Sequence, residues 1–202
     1  MHGFLTPRRS RSLSTALLAA LALVAGLSGL AEAQSADTGP GVRVRSLAAG
    51  WGTAWRFGIP GYGKTTTDVR FVAFHPGLGW FVTRRAEIFG EAALFIYSRP
   101  RATFAVGPIA IGVRHQFRDR GRHRPFVSGG AGLLVTPLDV VELDRATNGQ
   151  LFYGIGMRWL RPRGPHWRIE IRNHHISNAG TAGANLGLNA VMIVVGAEWL
   201  AR

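Results

Sequence analysis

The sequence contains no cysteine. Disulfide bridges, a thiolate zinc site and a cysteine nucleophile are therefore excluded. Acidic residues are also scarce, because 11 Asp and Glu stand against 24 Lys and Arg and leave a formal net charge of +13. Charged residues make up 17% of the chain and hydrophobic residues 47%, a composition too apolar for an intrinsically disordered protein. The length of 202 residues fits one domain or two small ones.

Glycine and aromatic side chains are abundant instead. The chain has 27 Gly together with 6 Trp, 3 Tyr and 11 Phe. Aromatic residues are enriched in strands, and this combination favours β structure over helices.

The N-terminal segment has the pattern of an export signal. Arg8, Arg9 and Arg11 precede an apolar run over 13–30, which is followed by the small-residue site Ala31-Glu32-Ala33. This pattern predicts a secretory signal peptide over 1–33 and a single mature domain over 34–202. A membrane anchor is the alternative, but the cleavage-site pattern and the lack of a basic stop-transfer flank count against it. Export makes a nucleic-acid partner unexpected.

The remainder of the chain alternates rather than forming long apolar runs. No segment after residue 33 offers the roughly eighteen consecutive apolar residues that a membrane helix needs. Segments of about ten residues alternate between apolar and polar or small side chains, with turns rich in Gly, Pro and Arg between them. The alternation predicts eight strands, over 47–57, 67–76, 86–97, 103–117, 125–135, 150–160, 166–178 and 189–200.

The two faces of these strands differ in polarity. On the sixth strand one face carries Leu151, Tyr153, Ile155, Met157 and Trp159, and the other carries Phe152, Gly154, Gly156, Arg158 and Leu160. The side chains on the first face are large and apolar, while those on the second are mostly small and include one arginine. A soluble β-sandwich has an apolar inner face and a richly charged outer one, whereas an outer-membrane barrel turns its apolar face to lipid and its polar face to the lumen.

We therefore expect an all-β fold, an eight-stranded antiparallel transmembrane β-barrel in the bacterial outer membrane. A closed barrel satisfies every backbone polar group without water, and a barrel of eight strands is filled by side chains. Aromatic residues near the predicted strand ends fit membrane-interface girdles: Phe117, Tyr153, Trp159, Trp167 and Trp199. A soluble lipocalin-like barrel is the alternative.

The connections then alternate between the two sides of the membrane. With the N-terminus in the periplasm, the turns at 77–85, 118–124 and 161–165 are predicted to be periplasmic. The loops at 58–66, 98–102, 136–149 and 179–188 are predicted to be extracellular. The arginines of the turns are interpreted as solvated charges or, with less support, as contacts to anionic lipid headgroups.

Candidate catalytic residues lie at the end of the seventh predicted strand. His175 and Ser177 fall on the apolar face, about 7 Å apart at Cβ, so the imidazole can reach the hydroxyl and act as a base beside a nucleophile. Asn189 begins the eighth strand on the same face, which predicts a cluster of the three residues at the extracellular end of the outer wall. The spacing alone fits interfacial polar residues that bind lipid headgroups equally well. The opposite face carries Arg168, Glu170, Arg172 and His174, which predicts a polar network in the lumen.

A longer pattern surrounds these residues. The segment His175-Ile-Ser177-Asn178-Ala179-Gly180, followed by Asn185-Leu-Gly187-Leu-Asn189, resembles the signature of the lipid A deacylase family, also called acyloxyacyl hydrolases. Two further segments, at 50–55 and 125–132, look similar as well.

The resemblance implies an eight-stranded outer-membrane esterase that removes the acyl chain at position 3 of lipid A. Independently of the resemblance, no Asp, Glu or His cluster has metal-ligand spacing, so neither a metal nor another cofactor is expected. The resemblance also implies that Ser177 is the nucleophile and His175 the base. The expected oxyanion donors are the side chains of Asn178 and Asn185 and the backbone N–H of Gly180. Lipopolysaccharide would be the partner, and a homodimer is left open.

Position 189 departs from the family pattern, because Asn189 stands where the family has the Glu that orients the histidine. An asparagine can accept a hydrogen bond from the imidazole but cannot stabilise the imidazolium with a full negative charge. The leading hypothesis is therefore an esterase acting on lipopolysaccharide. The competing hypothesis is a non-enzymatic small barrel with a structural or surface-interaction role.

Overall fold

The computed structural model describes residues 38–55, 65–181 and 186–202. The predicted signal peptide over 1–33 lies outside these residues. No helix in the described ranges is long and apolar enough to span a membrane. The described chain forms eight strands: β1 Arg43–Ala54, β2 Arg70–Phe81, β3 Ala86–Arg99, β4 Thr103–Gln116, β5 His123–Val135, β6 Thr147–Trp159, β7 His166–Ser177 and β8 Leu188–Ala201.

The strands form a closed antiparallel barrel in sequence order. Each strand pairs with its neighbours in the chain, and the barrel closes where β1 pairs with β8, from Arg43 opposite Ala201 to Ala54 opposite Ala190. The predicted fold class and strand number are confirmed. Because the sheet has no edge, no ladder of backbone donors and acceptors is exposed to lipid.

The predicted turn at 77–85 is wrong, because β2 continues to Phe81 and the turn covers only 82–85. Pro76-Gly-Leu-Gly79 has the composition of a turn. In the barrel Pro76 pairs with Leu47 of β1, while the pairing with β3 is interrupted between Phe74 and Gly77. Proline has no backbone N–H to donate, so it is tolerated where the hydrogen-bond ladder between two strands is interrupted.

The outer wall is apolar, as predicted. Its exposed residues include Ile111 at 61%, Ile155 at 62% and Ile171 at 54% exposed surface. Trp80 and Trp167 lie near the strand ends on the side of the short turns. Tyr153 was predicted to lie near a strand end, but it lies in the middle of β6.

The lumen is filled by arginines and glutamates that form ion pairs. Arg158, near the end of β6, is fully buried there, with Nε donating to Glu198 at 2.5 Å and Nη2 donating to Glu87 at 2.6 Å. Among the described residues, the buried ion pairs of the lumen involve Arg114, Arg158, Arg168 and Arg172 with Glu87, Glu91, Glu170 and Glu198. Arg124 is buried as well, and it donates to Thr38 Oγ1. Within the ion-paired set, four positive and four negative groups compensate one another, in agreement with the polar network that the pattern of β7 predicted.

The two ends of the barrel differ in their connections. Short turns at 82–85, 117–122 and 160–165 lie at the end that also holds the strand termini Arg43 and Ala201. At the opposite end, three of the four intervals between strand ends are long, over 55–69, 136–146 and 178–187, and the fourth, between β3 and β4, is the short interval 100–102. Outer-membrane barrels place short turns in the periplasm and long loops outside, so the long-loop end is the extracellular one.

Candidate active site at the extracellular ends of β7 and β8

His175 and Asn189 are directly opposite each other on β7 and β8. Cross-strand partners share a face of the sheet, so both side chains lie on the outward face. His175 Nδ1 lies 2.8 Å from Asn189 Oδ1. Only 4% of His175 and 0% of Asn189 is exposed, although neighbouring outward residues of the wall are open. The structure therefore brings together two of the three residues that the sequence pattern singled out.

Thr65 determines which atom of the Asn189 amide faces the imidazole. Asn189 donates from its backbone N to Thr65 Oγ1 at 2.7 Å and from Nδ2 to the same oxygen at 3.3 Å. The Thr65 hydroxyl donates to Gly187 O at 3.5 Å. Because Nδ2 is directed at Thr65, the atom that faces His175 is Oδ1, which can only accept. The proton of neutral His175 is then held on Nδ1, and the lone pair needed for a base lies on Nε2.

Gly187 packs directly over the imidazole. A Cβ added to Gly187 would lie 2.5 Å from His175 Cε1, and its φ of +71° is one that L side chains rarely adopt. Glycine is therefore required at this position both by backbone conformation and by space. The close contact explains how an outward-facing histidine is buried.

Ser177 is the last residue of β7 and is half-buried. Among the described residues, no hydrogen bond joins it to His175. The turn that follows is unusual, because Ala179 has a φ of +54° and Gly180 a φ of +74°. Ala179 is the one non-glycine residue with positive φ in the described ranges. Such strained conformations persist where the surrounding structure imposes them, and they are common in active sites.

The three predicted oxyanion donors have different surroundings. Asn178 is 4% exposed and lies beside Ser177. The backbone N of Gly180 donates to Asn178 Oδ1 at 2.9 Å, so in this arrangement that N–H is directed at a side chain. Asn185 lies outside the described residues. The assignment of these donors stays a prediction.

A contact between two extracellular loops supports Thr65. Glu142 Oε1 accepts from Thr66 N at 2.7 Å, Thr66 Oγ1 at 2.9 Å and Thr67 N at 2.9 Å, and Oε2 accepts from Thr67 Oγ1 at 2.6 Å. Burial acts to raise the pKa of Glu142, but the hydrogen bonds from Thr67 and Thr66 outweigh it and hold the pKa below its ordinary value. The sequence analysis missed Thr65 and Glu142, because neither lies in a periodic segment or a motif.

The acidic residues close to the site in sequence serve the lumen. Glu170 accepts from Arg168 at 2.6 Å, and Glu198 accepts from Arg158 at 2.5 Å. His174 also points inward, where its ring stacks on Phe95 at 5.0 Å and Nε2 donates to Gln150 at 3.0 Å. No group of three His, Asp or Glu side chains in the described part of the chain could hold a metal ion. The arrangement offers a base with a fixed tautomer and a nearby hydroxyl, which is chemistry suited to acyl transfer.

Comparisons with known proteins agree with this architecture. The family model described as lipid A 3-O-deacylase (PagL) matches residues 31–198. The crystal structure of the outer membrane enzyme PagL superposes with a TM-score of 0.54 and 15% identity, covering 75% of this chain and 97% of that one. Neisserial surface protein A superposes with a TM-score of 0.58 and 11% identity, covering 83% and 99%. A comparison with curated proteins finds no match. At these identities the two structures support the fold alone, whereas the family model covers most of the chain.

Proposed function

Since the chain belongs to the lipid A 3-O-deacylase (PagL) family and lies in the bacterial outer membrane, we propose that it hydrolyses the ester-linked acyl chain at position 3 of lipid A. The substrate is lipopolysaccharide in the outer leaflet, and Ser177 and His175 carry the reaction. The contact of 2.8 Å between His175 Nδ1 and Asn189 Oδ1 is the observation that best supports this proposal. It orients the imidazole as a base needs to be oriented, and a merely structural histidine does not require that orientation.

The reaction proceeds in two steps. His175 Nε2 removes the proton of Ser177 Oγ, which attacks the ester carbonyl carbon and forms a tetrahedral intermediate. Collapse of the intermediate breaks the bond to the sugar oxygen, which takes the proton from His175, and the acyl chain stays on Ser177. Water then attacks the acyl-enzyme with His175 again as base, releasing the fatty acid and restoring Ser177.

The developing oxyanion needs hydrogen-bond donors next to Ser177. The side chain of Asn178 is adjacent in sequence and buried. The Gly180 N–H serves as a second donor if Asn178 Oδ1 releases it, and Asn185 is the third predicted donor. Catalytic hydrogen bonds are often long or absent without substrate and tighten when it binds. The same argument applies to Ser177 and His175.

A non-enzymatic barrel is the second candidate function, and Asn189 is the observation that favours it. The neutral amide orients His175 but does not stabilise the imidazolium that forms in the transition state. In a serine protease the corresponding Asp-to-Asn change lowers kcat by about four powers of ten. The proposal therefore includes a slow reaction. The comparisons do not support a homodimer, and it forms no part of the proposal.

Mass spectrometry of lipid A provides the test. The purified protein in detergent is incubated with lipopolysaccharide, and loss of one acyl chain is monitored for the parent and for Ser177→Ala, His175→Ala and Ser98→Ala. Ser98 is a matched control, because it lies at the same end of the barrel, is exposed and donates to Arg70 O at 3.3 Å, its one side-chain hydrogen bond to the described residues. We expect deacylation by the parent and by Ser98→Ala, none by Ser177→Ala and close to background by His175→Ala. Equal activity of Ser177→Ala and the parent would rule out the mechanism, and no activity in any of them would favour the second candidate.

A further inference from the structure

Two arginines lie on the lipid-facing wall near the periplasmic rim. Arg43 and Arg45 are exposed and alternate with Val42 and Val44, which are buried at 0% and 2% exposure. Val42 and Val44 belong to an apolar cluster inside this end of the barrel, so the arginines point outward. Side chains in this position face the membrane interface rather than the lumen.

Tryptophans flank both arginines on the same face. Arg43 is opposite Trp80 of β2, and Arg45 is opposite Trp199 of β8. Tryptophan marks the headgroup level of a membrane. Arg43 and Arg45 are two residues apart on one strand face, about 7 Å at Cβ, so both guanidinium groups can lie at the depth of lipid phosphates.

No carboxylate neutralises this pair within the described residues. Neither arginine forms an ion pair there, whereas the arginines of the lumen pair with glutamates, and Arg70 and Arg99 at the extracellular end pair with Asp68. The adjacent turns add positive charge from Arg84, Arg85, Arg118, Arg120, Arg122, Arg161 and Arg163, with Asp119 as their one acidic residue. Solubility does not explain the asymmetry, because the described extracellular loops, taken with the strand-end residues Arg70 and Arg99, contain equal numbers of arginines and acids. They are Arg70, Arg99, Arg101 and Arg145 with Asp68, Asp139, Glu142 and Asp144.

We propose that Arg43 and Arg45, between Trp80 and Trp199, form a binding site for an anionic phospholipid of the inner leaflet. The guanidinium groups bind the headgroup phosphate in a bidentate manner, and the acyl chains lie along the apolar wall above it. The site is independent of the extracellular active site. Its role is to hold the barrel at a fixed depth with its catalytic end in the outer leaflet.

Native mass spectrometry of the folded protein in detergent tests the site. Phosphatidylglycerol and phosphatidylcholine with identical acyl chains are titrated onto the parent, onto Arg43→Gln/Arg45→Gln and onto the turn control Arg118→Gln/Arg120→Gln. We expect the parent to bind phosphatidylglycerol at least about tenfold more tightly than phosphatidylcholine, a preference of about 1.4 kcal/mol, because two guanidinium groups face the anionic headgroup. The wall variant loses this preference, and the turn control keeps it.

Two further measurements separate a lipid site from general charge. Phosphatidylglycerol with brominated chains should quench the tryptophan fluorescence of the parent more than that of the wall variant, because Trp80 and Trp199 border the site. Inorganic phosphate should not displace the bound lipid. The proposal would be overturned if the parent bound the two lipids equally, or if the turn control lost the preference for phosphatidylglycerol as the wall variant does. Displacement of the bound lipid by inorganic phosphate alone would also overturn it. Heat-modifiable gel migration verifies that every variant is folded.

We also infer that Thr65 and Glu142 are positioning residues for His175; the activity part of this inference rests on the proposed function. The Thr65 hydroxyl accepts two hydrogen bonds from Asn189 and donates one to Gly187 O, which uses its full capacity. Glu142 fixes Thr66 and Thr67, the residues that follow Thr65 directly. The path from Glu142 to the imidazole thus consists of contacts that each restrict the next residue.

Matched variants distinguish positioning from general stability. Thr65→Val removes the hydroxyl at nearly constant volume, and Thr65→Ser retains it. Glu142→Ala removes all four hydrogen bonds, whereas Glu142→Gln retains the three that Oε1 accepts, and its Nε2 can donate to Thr67 Oγ1 in place of the fourth. We expect Thr65→Val and Glu142→Ala to lower kcat by about tenfold or more with little change in KM, a loss equivalent to one misdirected hydrogen bond. The conservative variants should recover most of it.

A tautomer measurement keeps this inference separate from the proposed function. Nitrogen-15 NMR of histidine-labelled protein in micelles, with His175 assigned by comparison with His175→Gln, reports which ring nitrogen carries the proton. The parent and Thr65→Ser should show the Nδ1–H form, and Thr65→Val should show a mixture. A parent spectrum with the proton on Nε2, or an unchanged spectrum in Thr65→Val, would overturn the inference whether or not the protein deacylates lipid A.

Discussion

His175 and Asn189 form a hydrogen-bonded pair across neighbouring strands, with Nδ1 2.8 Å from Oδ1. The geometry is the one in which a carboxylate would orient a catalytic histidine, but the acceptor is a neutral amide. Orientation and charge stabilisation are normally supplied by the same group in such sites. Asn189 can supply the orientation but not the charge, which makes position 189 a direct test of how much each contributes.

Replacing Asn189 with Glu should increase deacylation. The carboxylate keeps the contact to His175 Nδ1 and adds stabilisation of the imidazolium, and the Thr65 hydroxyl can turn to donate to it in place of Gly187 O. The gain could reach a few powers of ten in kcat if the geometry is retained, by analogy with serine proteases. Deacylation of purified lipopolysaccharide across pH 6 to 9 measures it. Activity no higher than that of the parent at every pH would contradict the orienting role of Asn189.

Gly187→Ala should displace the His175 ring and abolish most activity. Its Cβ would lie 2.5 Å from His175 Cε1, and the positive φ adds strain. Gly121→Ala is the matched control, because Gly121 has a φ of +82° with nothing within 4 Å of an added Cβ, in a turn at the other end of the barrel. Both variants carry similar backbone strain, about 1 kcal/mol. Loss of activity in Gly187→Ala alone would assign the effect to the contact with His175, whereas equal activities would contradict it.

Much of the architecture follows from alternation along the strands. A period of two assigns His175 and Asn189 to one face, and their places at the ends of consecutive strands predict their contact before any coordinates are known. The same period separates them from Glu170 and Glu198, which the structure places in the lumen. Strand bounds were less predictable where composition and pairing disagree. The composition around Pro76 predicts a turn, but Pro76 pairs with Leu47 of β1 and belongs to β2.

The loop contacts that hold Asn189 and His175 in place could not be predicted from this alternation. Thr65 and Glu142 lie in loops without hydrophobic periodicity, and the bonds from Glu142 to Thr66 join residues 76 positions apart. Such contacts depend on how two loops fold over the barrel end. Local sequence carries no record of that arrangement, so only the three-dimensional structure reveals it.

The contact between Glu142 and Thr66-Thr67 should open in acid. The pKa of Glu142 is lower in the folded protein than its ordinary value of 4.5, so the carboxylate contributes stability that is fully present above pH ~4.5 and is lost as the pH falls through the lowered pKa. Asp139 and Asp144, in the same loop, are exposed. Hydrogen exchange of the Thr66 and Thr67 amides should accelerate in the parent as the pH falls through the lowered pKa of Glu142, beyond the intrinsic trend, and not in Glu142→Gln. Protection that is equally independent of pH in both proteins would contradict the role of the carboxylate.

The ion pairs of the lumen should determine the stability of the barrel. Glu198 accepts from Arg158 at 2.5 Å and lies 3.0 Å from Arg168 Nε, and all three side chains are buried. Glu198→Gln leaves one more positive than negative charge in the buried ion-paired set, and loss of one partner from a buried pair destabilises by about 3–5 kcal/mol. Urea unfolding in detergent micelles, with heat-modifiable migration as a second measure, should show this decrease.

Asp68→Asn is the control: it removes a carboxylate from an exposed pair and should change the urea midpoint little. Adding Arg168→Gln to Glu198→Gln restores equal numbers of charges and should recover part of the loss. A Glu198→Gln barrel as stable as the parent would show instead that the remaining Glu87, Glu91 and Glu170 are sufficient to hold the four arginines.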